Sequence, residues 1–168
     1  YLDDVVDGDA PLPNGYTDPI AYLEDKIAFS SRLFGPTDSV DHLMLHCFSL
    51  GEKFGKEFRE ETRDILYSLL FDANRRGTWG VFPAATLQEH FHKMDIRGTI
   101  RAILKIFGDD PDQYPLLEPL GVACRYQYDI EDIAADLSAG YVNITQEEME
   151  ALGIDPEELR DPSSSGVR

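Results

Sequence analysis

The sequence predicts an all-α protein, and three observations carry that prediction. Apolar residues recur at helical spacing over most of the chain. The segments so patterned are bounded by helix caps and stops, such as Thr145 with Glu148 and the glycines Gly108 and Gly140. The only strand-like stretches, WGVF and YVNI, are too short to build a sheet. With 168 residues, 42% of them apolar, the chain is long enough for one domain with a sizeable core, expected over residues 1–160.

Residues 1–7 read as the end of a helix and 8–19 as a loop rich in Gly, Pro, Asn and Asp. Ile20, Leu23, Ile27 and Leu33 mark a helix over 20–34. FGPTDS breaks the chain, and Thr37 or Asp38 caps the next helix. From 39 to 76 the pattern stays helical, with a bend expected near Gly51 and Gly55 and an apolar stripe through Phe54, Phe58, Ile65, Leu66, Leu69 and Leu70. GTWGVFP is a turn, and 84–107 form a further helix ending at Gly108. Over 116–139, Leu116, Leu120, Ala123, Tyr126, Ile130, Ile133 and Leu137 are spaced for one buried face. Thr145 and Glu148 form a capping box on a short helix, and residues 161–168 are expected to be a disordered tail.

The formal net charge is −17, from 32 acidic against 15 basic residues. Such a surface argues against nucleic acid as a partner, because phosphates need a basic footprint. It suits a cation-rich site, or adaptation to a saline habitat. Cys47 and Cys124 make neither a disulfide framework nor a zinc pattern and read as two buried thiols in a reducing cytoplasm. No apolar run is long enough for a transmembrane helix. The chain begins without Met, inside a helical pattern, and reads as a piece of a longer parent.

The opening YLDDVVDG crowds Asp3, Asp4 and Asp7 together. A matching cluster stands in YDIEDIAADLSAG, where Asp132 and Asp136 are again four apart and Asp129 shares their face. On a helix, i and i+4 lie one above the other, so like charges there repel. A hard divalent cation reverses the sign, since Mg²⁺ is held by one or two carboxylates plus substrate phosphates. By spacing alone a solvated acidic face fits as well. Both pairs, however, sit beside apolar residues, Val5 and Val6 in one case and Ile130 and Ile133 in the other, where paired carboxylates need a reason.

The stretch LEPLGVACRYQYDIEDIAADLSAGYVNITQEEMEALGI resembles the second aspartate-rich region of squalene/phytoene synthases, and YLDDVVDGD resembles their first. LLFDANRR and MDIRGTIRAILKIFG, with Gly98 and Thr99, are similar to the segments between. The resemblance implies a helical bundle of the isoprenoid (terpenoid) synthase type, as a fragment or shortened member. It implies a Mg²⁺-dependent prenyltransferase of isoprenoid biosynthesis that joins two prenyl diphosphates, farnesyl or geranylgeranyl, head to head to phytoene- or squalene-type products. NADPH would serve only a squalene-type reaction. Cytoplasmic location with peripheral membrane association goes with apolar products of this kind. By the same resemblance, Asp3, Asp7, Asp132 and Asp136 are the catalytic metal ligands, with Asp4 a further ligand. The sequence departs from the family's pattern at Arg125, Tyr128, Glu131 and His92. A chain-elongating prenyl diphosphate synthase, or an inactive synthase-like protein that binds a lipid or a partner, are the alternatives.

Arg97, Arg101 and Lys105 recur every four residues and suit either diphosphate binding or a face paired with acids; Arg125 is a further candidate diphosphate ligand. Arg75 and Arg76 read as cations placed at a helix end. His42 with His46, and His90 with His92, lack the Glu of a zinc motif. Trp79 reads as core.

Overall fold

The computed structural model describes residues 1–160, and the tail expected over 161–168 lies outside the described residues. Among the described residues every regular element is helical. In chain order they are α1 (Leu2–Asp7), α2 (Pro19–Arg32), α3 (Ser39–Lys53), α4 (Arg59–Arg75), α5 (Ala84–Phe91), a π-helical segment (His92–Ile100), α6 (Arg101–Phe107), a short 3₁₀ turn (Pro111–Gln113), α7 (Tyr114–Ala139), α8 (Gln146–Leu152) and a last 3₁₀ turn (Pro156–Arg160).

Local chemistry sets most of these boundaries. Asp18 accepts from the backbone N–H groups of Ile20 and Ala21 at the start of α2, next to Pro19 in the first turn. Asp38, rather than Thr37, caps α3 by accepting from Val40 and Asp41. The capping box of Thr145 and Glu148 is present in full. Gly8, Gly108 and Gly140 end their helices in the left-handed region.

The main core lies among α1, α2, α3 and α4, where Val6, Leu23, Phe29, Met44, Phe48, Leu66 and Leu69 pack together. A smaller cluster gathers Leu137, Val142, Met149 and Leu159, with Trp79 and Val81 against it. The π segment joins the two halves of the bundle, packing on α4 and on α7. Its wider turns show in Thr99, whose hydroxyl donates to the carbonyl of Met94 five residues earlier.

Three expectations are corrected. Residues 39–76 are two helices, not one bent helix. The chain turns through 54–58, with Gly55 at φ 68° and the Phe58 ring lying where a side chain on Gly51 would be. The face expected to be buried on α7 is open: Leu116, Leu120, Tyr126, Ile130 and Ile133 are exposed, and only Gly121 and Leu137 of this helix are buried. Cys47 and Cys124 are exposed free thiols, not core residues.

Candidate functional site

The two aspartate pairs face one cavity. Burying Val5 and Val6 turns Asp3 and Asp7 of α1 to the other side of that helix. Arg76 holds α1 in place by donating from Nη1 to the carbonyl of Val6 at 2.8 Å. On the far side, Asp129, Asp132 and Asp136 share a face of α7. The end of α7 is fastened to the turn after α4. Gly77 donates to the carbonyl of Ala139 at 2.9 Å and Trp79 to that of Gly140 at 3.1 Å. A Cβ on Gly140, itself at φ 80°, would lie 2.5 Å from the Cα of Gly77, so glycine is required for this approach.

Asp3, Asp7, Asp129, Asp132 and Asp136 line a cavity of about 650 Å³ together with Asp72 of α4. Asp7 and Asp136 are half-buried, while Asp3 and Asp132 are exposed at its mouth. The Tyr141 hydroxyl donates to Asp7 Oδ1 at 3.0 Å and so ties the α7 end to α1. Asn143 donates from Nδ2 to Asp136 Oδ2 at 2.9 Å and to Asp129 Oδ1 at 3.2 Å, and its Oδ1 accepts from Arg75 Nη1 at 2.7 Å. Buried Arg75 also donates from Nε to Asp72 Oδ1 at 2.7 Å and lies over the ring of Tyr141. His90 stands behind Asp72, with Nε2 at 3.2 Å from Asp72 Oδ1 and Nδ1 at 2.7 Å from the Ser68 hydroxyl. Val40, Leu43, Ile65, Leu69, Phe91 and Met94 add an apolar lining.

Six carboxylates and two guanidiniums, Arg75 and Arg125, line this space. The surplus of negative charge shows in the titration of the groups. Desolvation first, and then Asp72 and Asp4, push the Asp3 carboxyl up. Desolvation also raises Asp7, outweighing the Tyr141 hydrogen bond. It raises Asp136 as well, where Asp132 and Asp7 add to it and Arg75 opposes. Desolvation raises Asp129 to about 6 against the pull of Arg125. At Asp72, burial is overcome by the hydrogen bonds of His90 and Arg75, which hold the carboxyl below its ordinary value. An anion alone is repelled from such a wall; an anion accompanied by cations is not.

A stability profile results from these directions. Asp129 has a folded pKa near 6 against an unfolded value near 3.8, so the folded state binds the extra proton between those limits. Stability then rises as pH falls through 6 and is fully gained below 3.8. Asp38 and Asp72, held low, act in the opposite sense and remove stability below their unfolded values. The metal-free protein is therefore expected to melt highest between about pH 4 and 6, and Asp129→Asn to raise its stability at pH 7 by about 1–2 kcal/mol after solvent screening. Thermal melts across pH, with wild type and variant side by side, measure both.

The structure does not bring every candidate residue to this cavity. Asp4 is exposed beside the Tyr1 amino group, 3.3 Å away, and does not line it. Arg97 is engaged by Asp64 and Glu89 and Arg101 by Glu60 and Glu61, because α4 and α5 present acids directly opposite that basic stripe. Lys105 likewise meets buried Glu61 at 2.6 Å. Of the candidate diphosphate ligands only Arg125 reaches the aspartate cavity, where it forms a two-pronged pair with Asp95 at 2.8 and 2.9 Å over the ring of Phe91. Tyr128 lines the cavity, Glu131 is paired with Gln127 outside it, and His92 lies 3.7 Å from Glu118.

A second cavity, of about 750 Å³, adjoins the first and shares Phe91, Arg125, Asp129 and Asn143 with it. Arg97 and His92 face this one. Asp72, Tyr141 and Asn143 escape a reading of the sequence, while Arg75 and His90 are read there only as a helix-end cation and as a histidine without a zinc motif; no expectation places the five of them at this site. The one local sign of Tyr141 and Asn143 is their place just after a glycine stop, where the chain must fold back onto α7.

Among the described residues no group of three or more His, Cys, Asp or Glu side chains is close enough to hold a metal ion unaided. The donors are nonetheless all hard carboxylate oxygens, carried on facing walls. That set fits Mg²⁺ entering together with an anion that completes its coordination. No described helix is long and apolar enough to cross a membrane. No family model matches the chain, and neither a curated protein nor a solved structure matches it.

Proposed function

We propose that the protein is a Mg²⁺-dependent prenyltransferase of squalene/phytoene synthase type, joining two prenyl diphosphates head to head with release of diphosphate. The observation that carries the reading is the convergence of Asp3 and Asp7 with Asp132 and Asp136 on one cavity that also has an apolar lining. A prenyl diphosphate joins an anionic head to a hydrocarbon chain.

In this reading the four aspartates hold the cations that accompany the diphosphate. Bound Mg²⁺ would supply Lewis-acid stabilisation of the leaving diphosphate. Arg75 and Arg125 add positive charge to the wall, fixed in advance by Asp72, Asn143 and Asp95, so little reorientation is needed as negative charge develops. Ile65, Leu69, Phe91 and Met94 keep water from the allylic carbon. NADPH enters only if the product is of squalene type.

The test is product identification. The protein is incubated with farnesyl or geranylgeranyl diphosphate and Mg²⁺, in parallel reactions with NADPH or with isopentenyl diphosphate added, and both the organic and the aqueous phases are analysed by mass. A head-to-head product from the prenyl diphosphate supports the proposal, and a lengthened prenyl diphosphate formed only with isopentenyl diphosphate would assign chain elongation instead. The open apolar face of α7 favours a second reading, an inactive synthase-like protein that binds a lipid or a partner there. Binding of the prenyl diphosphate without turnover would point to it.

A further inference from the structure

Among the described residues, the side chain of Asn143 is the one neutral group that touches two of the α7 carboxylates at once. Its amide orientation is settled by its partners, since the opposite orientation would aim oxygen at two carboxylates and N–H groups at a guanidinium. Asp129 and Asp136 stand two helical turns apart, and a shared N–H₂ group offsets their repulsion without cancelling either charge. The loop does not need this side chain. Its course is held by the Gly140 stop, by Tyr141 N–H donating to the Asp136 carbonyl at 2.8 Å, by buried Val142 and by Gln146 N–H donating to the Phe82 carbonyl at 2.9 Å.

We propose that Asn143 is a positioning residue of the aspartate site: its carboxamide, anchored on Arg75, sets Asp129 and Asp136 at the spacing in which the α7 wall takes a divalent cation together with a diphosphate. The inference rests on the prenyl diphosphate reading and adds to it a residue outside both aspartate pairs. Without the amide the two carboxylates splay toward solvent and Arg75 swings onto one of them, and the wall loses its cation-binding form.

The test is titration calorimetry of Mg²⁺ into the protein with inorganic pyrophosphate present, for wild type, Asn143→Leu and Asn143→Ala, beside thermal melts of the metal-free proteins. Orienting groups behind metal ligands are worth about 10–100-fold in metal affinity. Mg²⁺ uptake is expected to weaken by about tenfold or more in both variants, while the metal-free proteins, in which buried Arg75 has lost a partner, stay folded and melt lower. The melts show that each variant is folded at the temperature of the titration, and the metal affinity decides, since a purely structural Asn143 would leave it unchanged. Unchanged Mg²⁺ affinity in a folded variant overturns the role of Asn143 only. Absence of Mg²⁺ uptake by wild type with pyrophosphate overturns the underlying reading together with it.

Discussion

Asp136→Asn is expected to reduce Mg²⁺-dependent turnover of a prenyl diphosphate by about 10²–10³-fold, the usual cost of deleting one electrostatic contact to the reacting centre, and to stabilise the metal-free protein. The two effects have one cause. Asp136 is a half-buried carboxylate whose charged form is disfavoured by desolvation and by Asp132 and Asp7. Asparagine keeps the shape and can still pair with Asn143, but removes the charge. The metal-free fold gains by the loss of repulsion, while the cation site loses a ligand. A residue kept for packing would not separate activity from stability in this direction. Steady-state kinetics with the melting temperature of the same samples is the measurement.

Lys26→Met is expected to have the largest effect on folding, a loss of about 3–5 kcal/mol, as when one partner of a buried ion pair is removed. Lys26 is fully buried and donates to Asp41 Oδ1 at 2.6 Å and Asp38 Oδ2 at 2.7 Å. Neither aspartate is free to move out. Asp38 is committed to the start of α3 through Val40 and Asp41, and Asp41 holds the backbone N–H and hydroxyl of Thr37. Without the ammonium, which lies over the Tyr22 ring, the fully buried carboxylate of Asp41 and the largely buried one of Asp38 are left without their cation. Combining Lys26→Met with Asp41→Asn is expected to recover part of the loss, so that the pair costs less than the sum of its parts. Urea unfolding of the single and double variants measures this.

The helices were legible wherever their ends are written locally. Asp38, Gly108, Gly140 and the Thr145–Glu148 box each act within a few residues of themselves, and each does in the structure what its type and place suggest. The bend near Gly51 and Gly55 was legible, but not that it is a full break over 54–58, which depends on the Phe58 ring closing over Gly51. The apolar stripe of α7 was read correctly as a stripe and wrongly as a buried one. Periodicity says which residues share a face but not what lies across from it. Arg97, Arg101 and Lys105 illustrate the same limit. Their spacing is plain, yet their partners, Asp64, Glu60 and Glu61, come from another helix.

In the candidate site, the aspartate pairs were legible because a four-residue interval places each pair on one helix face. The residues that organise them were not. Asp72 and Arg75 sit three apart on α4 and look like an ordinary ion pair at a helix end. Tyr141 and Asn143 fall in a stretch that reads as a weak strand. Only the fastening of Gly140 against Gly77 brings these segments together around the carboxylates.

The central claim is that the facing aspartates serve a metal-borne diphosphate. The most direct measurement is pyrophosphate release from farnesyl and geranylgeranyl diphosphate, with and without Mg²⁺, for wild type and Asp132→Asn. Release that requires Mg²⁺ and collapses in the variant is the predicted result. A folded protein that releases no pyrophosphate from either substrate, or one whose release is indifferent to Mg²⁺ and to Asp132, would contradict it and leave the aspartates as an acidic lining without that chemistry.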